Sequence, residues 1–347
     1  TQIIRDRVFD YSHCVGRQGL AGATFRLPLK VAVGQDNNTY VLNRGTEIVP
    51  IVSWNTTGAG CRIGKIDLGK APGEEEFVAE FSAYGNGPGE LIWPTGLALD
   101  NKDNVYVSDE WLNRITVFNK DGVFLDHWGN PGSNYGELNG PSGILLDSNH
   151  NLVVVDSMNH RIQTFTTGGE FISSFGNIGT SDGEFNSPWG IGSDSEGYLY
   201  IADHKNHRVQ KFTSDGQHIQ TIGSYGNGRG QLNRPTDVTV DEDGDIYICD
   251  WANNRIQLYS KDGMYLTSFV GHAQEVSKWA GMVINGNPDV LKRRREVDSM
   301  EPEWRLTLPT GVTFDKFNNR LIICDTQRMR LQIYNKIDGY LEPQRNL

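Results

Sequence analysis

The stretch Pro141-Ser-Gly-Ile-Leu-Leu-Asp147, Asn151-Leu-Val-Val-Val-Asp156, Asn159-His-Arg-Ile-Gln-Thr-Phe165, Glu170-Phe-Ile-Ser-Ser-Phe175 decides the fold. It holds four runs of strand length, rich in β-branched and aromatic residues and separated by Asp, Asn and Gly turns. The phrase recurs. Pro94, Pro141, Pro188 and Pro235 stand 47 residues apart, and Pro309 heads a further copy after a longer gap. Each copy runs Pro-x-Gly or a variant of it, a strand, a turn, then a second strand ending in Asp109, Asp156, Asp203, Asp250 or Asp325. Asn-x-Arg or Asn-Arg closes the phrase in most copies. Four antiparallel strands in roughly 40–50 residues is the sequence form of a propeller blade.

The end copies explain each other. Pro28 opens a degenerate first copy in which Thr39-Tyr-Val-Leu-Asn43 ends in Asn, Arg44 follows, and the outer part, residues 54–68, carries extra residues. The last copy, Pro309 to Tyr334, lacks a fourth strand, and Ile3–Tyr11 is strand-like and followed by a Gly-rich run, as every fourth strand is. The expectation is an all-β, six-bladed β-propeller forming one domain over residues 1–347. Residues 1–27 supply the closing strand and lead-in, 28–80 blade one, and 81–340 the other repeats, with a helical insertion at 271–306 between blades five and six. Closure of the ring hides open sheet edges.

Net charge is −11, from 32 Lys and Arg against 43 Asp and Glu. That balance disfavours nucleic acid and anionic lipid as partners. No run approaches the ~18 apolar residues of a membrane span. Cys14, Cys61, Cys249 and Cys324 form no CxxC, and Cys249 and Cys324 share one repeat position. They read as free, buried thiols in a reducing, cytoplasmic setting, with a secreted or periplasmic location after processing left open. The sequons at Asn37 and Asn55 gain meaning only with secretion.

Asn159-His160-Arg161 and Asn206-His207-Arg208, each beginning three residues after an Asp, resemble the signature of NHL repeats. Gly89-Glu-Leu, Gly136-Glu-Leu, Gly183-Glu-Phe and Gly230-Gln-Leu agree with it. The resemblance covers nearly the whole chain, most closely residues 81–270, and extends to stand-alone bacterial NHL proteins. It implies a six-bladed propeller. In that family such propellers serve as interaction modules, and one is a lyase cleaving peptidyl-hydroxyglycine with zinc held by histidines around the channel. Only His204 is well placed for that ligand set here.

Features copied into every blade read as scaffold: the Asp–Arg pairs five residues apart, internal ion pairs or backbone anchors, and His160 and His207. The Gly-rich turns lack the helix and Lys-Ser/Thr of a phosphate loop. Asp241–Gly244 resembles half a calcium loop but reads as a hairpin turn. Function is sought where the repeat breaks. The third residue of Pro-x-Gly is Gly96, Gly143, Gly190 and Gly311, but Lys30 in blade one and Asp237 in blade five. After the strand-ending Asp or Asn come Arg44, Glu110, Ser157, His204, Trp251 and Thr326. The expected ligand site at the channel mouth uses Glu110, His204 and Asp237 as acid/base groups or as mixed oxygen and nitrogen ligands of a divalent metal, zinc or calcium. Lys30, Arg44, Trp111, Trp189 and Trp251 are its candidate ligand contacts. A solvated, charge-balanced mouth is the alternative.

The insertion carries helical spacing at Val276–Ile284 and Pro288–Val297, making it a candidate lid or a helical decoration on the rim. Its basic run, Lys292-Arg-Arg-Arg295, is offset by Glu296, Asp298, Glu301 and Glu303. Two function classes follow: a propeller binding or transforming a small molecule, as a lyase or hydrolase, or a scaffold for a protein partner.

Overall fold

A computed structural model describes residues 1–48 and 57–337. Trp54 and the Asn55 sequon lie outside the described residues. The chain forms six antiparallel sheets around an axis. Blades two to five each run inner strand to outer strand in chain order, as in Pro141–Leu146, Leu152–Asp156, Arg161–Phe165 and Phe171–Phe175. Blade one uses Pro28–Val33, Asn38–Asn43, Arg62–Asp67 and Glu76–Phe81, with a small hairpin, Thr46–Ile48 and Thr57–Ala59, inside it. Blade six takes Gly311–Asp315, Arg320–Asp325 and Arg330–Ile337 from the end of the chain and its fourth strand, Arg7–Val15, from the beginning. Gln2–Ile4 adds a fifth strand, because Arg5 turns back at positive φ where a continuous strand from Ile3 was expected.

Packing follows from strand periodicity. The second and third strands of blade two are buried, while its outer strand Phe124–Trp128 is exposed along its middle. Adjacent blades share apolar layers. Between blades three and four, Phe185 of the Gly-Glu-Phe motif meets Phe212 at 5.4 Å, and Phe175 meets Phe212 at 5.2 Å. The fully buried rings of Phe185 and Phe212 contribute about 1.5–3 kcal/mol each. At the axis, Pro-x-Gly lets inner strands nearly touch: a Cβ on Gly143 would lie 2.6 Å from the Trp189 carbonyl, and one on Gly190 2.4 Å from the Thr236 carbonyl. The residue before that Gly stitches blades together, with Thr95 Oγ1 donating to the Pro141 carbonyl at 2.9 Å and Ser142 Oγ to that of Trp189 at 2.8 Å.

The repeated polar residues are scaffold. Asp156, Asp203, Asp250 and Asp325 are fully buried and accept Arg161, Arg208, Arg255 and Arg330 Nε at 2.7–2.9 Å. The free guanidinium arms hold loop carbonyls, as Arg161 does at Ser133, Asn134 and Glu137. Blade two departs: Asp109 spends its carboxylate on the N–H groups of Ile92, Trp93, Trp111 and Leu112, and Arg114 Nε has no partner. His160 and His207 sit at positive φ, and their Nδ1 atoms accept the N–H of Ser187 and Arg234 in the next connection, each at 3.0 Å. Asn113 and Asn254 do the same with their side-chain oxygens. Asn and His serve alike here because each tolerates the left-handed region and offers an acceptor there.

Asp241–Gly244 is the hairpin turn expected, Gly244 N–H donating to the Asp241 carbonyl at 3.0 Å. The four cysteines are free and buried.

Candidate functional site

Strand polarity puts the Pro-x-Gly starts and the turns after each second strand at one mouth. Short 3-10 turns, such as His204–Asn206 and Trp251–Asn253, present their first residue there. The departures from the repeat collect on this mouth in three places.

The first is the axis. Lys30 Nζ reaches Asp237 Oδ2 at 2.5 Å, from blade one to blade five across the glycine of blade six. Asp237 also accepts the Val312 N–H at 2.9 Å. Burial pushes the Asp237 carboxyl up while Lys30 and the Val312 N–H oppose that shift. The remaining axial cavity is about 30 Å³, room for on the order of one or two waters. Lys30 and Asp237 therefore fill the channel instead of lining an open one.

The second place joins blades one and two. Arg44 lies over the Trp93 ring at 5.0 Å and 3.8 Å from Glu110 Oε2, and Trp93 packs edge-on against Trp111 at 4.9 Å. Trp111 is 58% exposed. Burial raises the Glu110 carboxyl above its usual range, with Arg44 opposing. A cavity of about 320 Å³ opens beside Arg44 and Trp93. Trp93 escaped the sequence reading. Its signal was an aromatic residue before the proline where other copies have Leu27, Gly140, Ser187, Arg234 and Leu308. Those five adopt positive φ and Trp93 does not. Blade two thus departs from the repeat in backbone as well as in side chain.

The third place joins blades four and five. His204 lies between Trp189, at 5.4 Å, and Trp251, at 6.1 Å, with Nδ1 3.2 Å from the Pro235 carbonyl. Burial pulls its pKa down to about 4, so the ring is neutral at pH 7, and Nδ1–H donating to the carbonyl leaves Nε2 as an acceptor.

Two expectations need correction. Glu110, His204 and Asp237 do not converge: the first two sit in separate aromatic clusters and the third is committed to Lys30. Among the described residues, the one group of three metal-donor side chains with ligand atoms within 4.8 Å is Asp241, Asp243 and Asp245. It lies at the opposite mouth, and Lys336 Nζ supplies the cation, 2.6, 2.7 and 3.3 Å from the three carboxylates. The insertion is not a lid over the axis. Its helices are α1 (Lys278–Asn285), α2 (Pro288–Glu296) and α3 (Glu301–Trp304); α1 packs on the outer rim where blade six meets blade one, and the Pro302 and Glu303 carbonyls of α3 accept from Arg328 and Arg330 of blade six. Trp279 buries against Phe25, Lys278 Nζ donates to the Glu75 carbonyl at 2.9 Å, and Ser277 Oγ donates to that of Gly16. None of its residues lines the axial cavity.

Known proteins place this architecture. NHL repeat models match residues 185–212 and 232–259, and the DUF5128 model, described as a 6-bladed beta-propeller, matches residues 100–176. The chain is a six-bladed NHL-repeat propeller. Protein lin-41 of Caenorhabditis elegans is 32% identical to this NHL propeller over 92 residues, 25% of this chain and 7% of that protein. Among solved structures, a streptogramin B lyase superposes with TM-score 0.55 at 15% identity, covering 97% of this propeller and 100% of that chain. A Bacteroides thetaiotaomicron protein of unknown function gives 0.60 at 18%, covering 95% and 76%. At these identities the solved structures share the fold alone.

Proposed function

We propose that this NHL propeller is a binding module that recognises a protein partner through its tryptophan-lined mouth. The observation that carries the reading is the blade-two departure, where Arg44, Trp93, Glu110 and exposed Trp111 are gathered beside a closed axis. Aromatic and arginine side chains of this kind dominate interface energetics. Lys205, Arg234 and Arg328 are exposed on other connections of the same mouth, which suits a partner segment carrying aromatic and acidic residues. Lyase or hydrolase chemistry by these groups would need an acid and a base facing one bond, and capture of a small molecule by them would need the groups to converge on one cavity. Glu110 and His204 are held apart in different clusters, which supports binding over catalysis. Four free, buried thiols support a reducing, cytoplasmic setting.

Selection of displayed peptides on the intact protein tests the reading. Enriched peptides should bind the wild type saturably and lose at least tenfold in affinity on Trp111→Ala or Arg44→Ala. Peptides that bind both variants as well as the wild type, or no enrichment at all, would overturn it.

A further inference from the structure

A further departure from the repeat lies away from the mouth, at the joint between blades six and one. In blades two to five, five-residue turns (119–123, 166–170, 213–217, 260–264) join the third and fourth strands. A glycine in each turn presses on the fourth strand of the preceding blade: a Cβ on Gly122, Gly169 or Gly216 would fall 2.4–2.6 Å from Phe81, Trp128 or Phe175. Blade one uses eight residues, 68–75, and its Gly73 meets nothing within 4 Å. The slot between blades is open here. The closing strand forms one wall, the long turn a second, and residues 272–278 of the insertion a third, around a cavity of about 420 Å³.

Its lining is built, not incidental. Glu75 is 1% exposed, and neither carboxylate oxygen has a hydrogen-bond partner. Lys278 Nζ donates to the Glu75 backbone carbonyl at 2.9 Å and makes no hydrogen bond to the carboxylate oxygens. His13, on the closing strand, is 9% exposed: Nδ1 is 2.8 Å from Ser12 Oγ, and Nε2 has no partner. Burial and Arg320 pull its pKa down to about 4, so the imidazole is uncharged and cannot balance the carboxylate. Tyr11 and His272, packed edge to face at 5.6 Å, line the cavity with Val276. An unpaired buried carboxylate is costly unless something with N–H donors completes it.

We propose that this cavity is a binding site for a small organic cation, an amine or guanidino compound whose N–H groups pair with Glu75 and whose body lies against Tyr11 and His272. Its volume falls in the range of pockets that take small organic ligands, about 300–1,000 Å³. The site is independent of the mouth, so partner binding and cation binding are separable properties.

Calorimetric titration of the intact protein with agmatine, putrescine and benzamidine, each against a neutral amide analogue, tests the proposal. The expected result is saturable one-to-one binding of at least one cation and none of its analogue, weakened at least tenfold by E75Q. E75Q should also raise Tm without ligand, because an amide is buried without hydrogen-bond partners at less cost than a carboxylate. V276W, which fills the cavity from its partly exposed side, should abolish binding as well, and it decides the matter alone if E75Q does not fold. Absence of saturable binding by all three cations, or affinity unchanged in the variants, overturns it.

Discussion

His160 and His207 show how a single position carries the repeat. Each ring must hold an unprotonated Nδ1 to accept an N–H from the next connection while its backbone sits at positive φ. Burial first, then Lys205 beside His160 and Arg234 beside His207, lowers both pKa values. The unfolded chain, with ordinary histidines near 6.5, binds protons more readily than the fold. The stabilisation is therefore complete above the unfolded pKa and is lost as pH falls through the lowered folded value. Asn113 and Asn254 make the same bond without titrating. Replacing both histidines with asparagine should leave Tm at pH 8 nearly unchanged and flatten its decline between pH 7 and 5. An unchanged slope, measured by thermal denaturation across that range, would show that the pH response originates elsewhere, with His13 and His204, both pulled down to about 4, the next groups to replace.

At the level of the element, the turn from second to third strand is a unit whose parts depend on one another. In blade four, Asn206 and Gln210 donate to the same Asp203 oxygen that Arg208 holds. Blade two has Leu112 and Thr116 at those positions, and Arg114 no longer reaches Asp109. Arg208→Met leaves a buried carboxylate without its cation and should cost about 3–5 kcal/mol. Arg114→Met removes only bonds to the carbonyls of Asn86, Gly87 and Glu90, and should cost nearer 1–2 kcal/mol. Chemical denaturation of the two variants distinguishes them, and equal losses would sink the argument. This contrast marks what was legible beforehand. Prolines, Asp and Arg at fixed spacing identified blades and scaffold because each acts within its own copy. Lys30, Arg44, Glu110, His204 and Asp237 were visible as exceptions, but which exceptions meet depends on ring closure. Trp93 was hidden because its distinction is a backbone angle, and the meeting of Glu75 and His13 at one cavity because 61 residues and a blade boundary separate them in the chain.

For the whole molecule, closure is the weakest and most consequential step. Five blades hold together through local hairpins, whereas blade six is completed by strands more than 300 residues apart in sequence, Val8 opposite Ile337 and Val15 opposite Leu331. Such non-local pairing has the highest loop-closure cost and comes late in folding. Phe9 and Val15 are fully buried, and Phe9 packs on Tyr247 and Phe269 of blade five, so the closing strand also welds blades five and six. Arg7 extends the weld with 2.5 and 2.7 Å bonds to Asp245, beside the Lys336 cluster. Phe9→Ala should therefore cost about 3–5 kcal/mol. Removing residues 1–15 should abolish the cooperative thermal transition altogether, because it exposes two faces and opens a sheet edge. The comparison is decisive by calorimetry. A truncated chain that kept the full-length Tm would mean that the five local blades carry the ring, and that the N-terminal strand only lines the cavity beside Glu75.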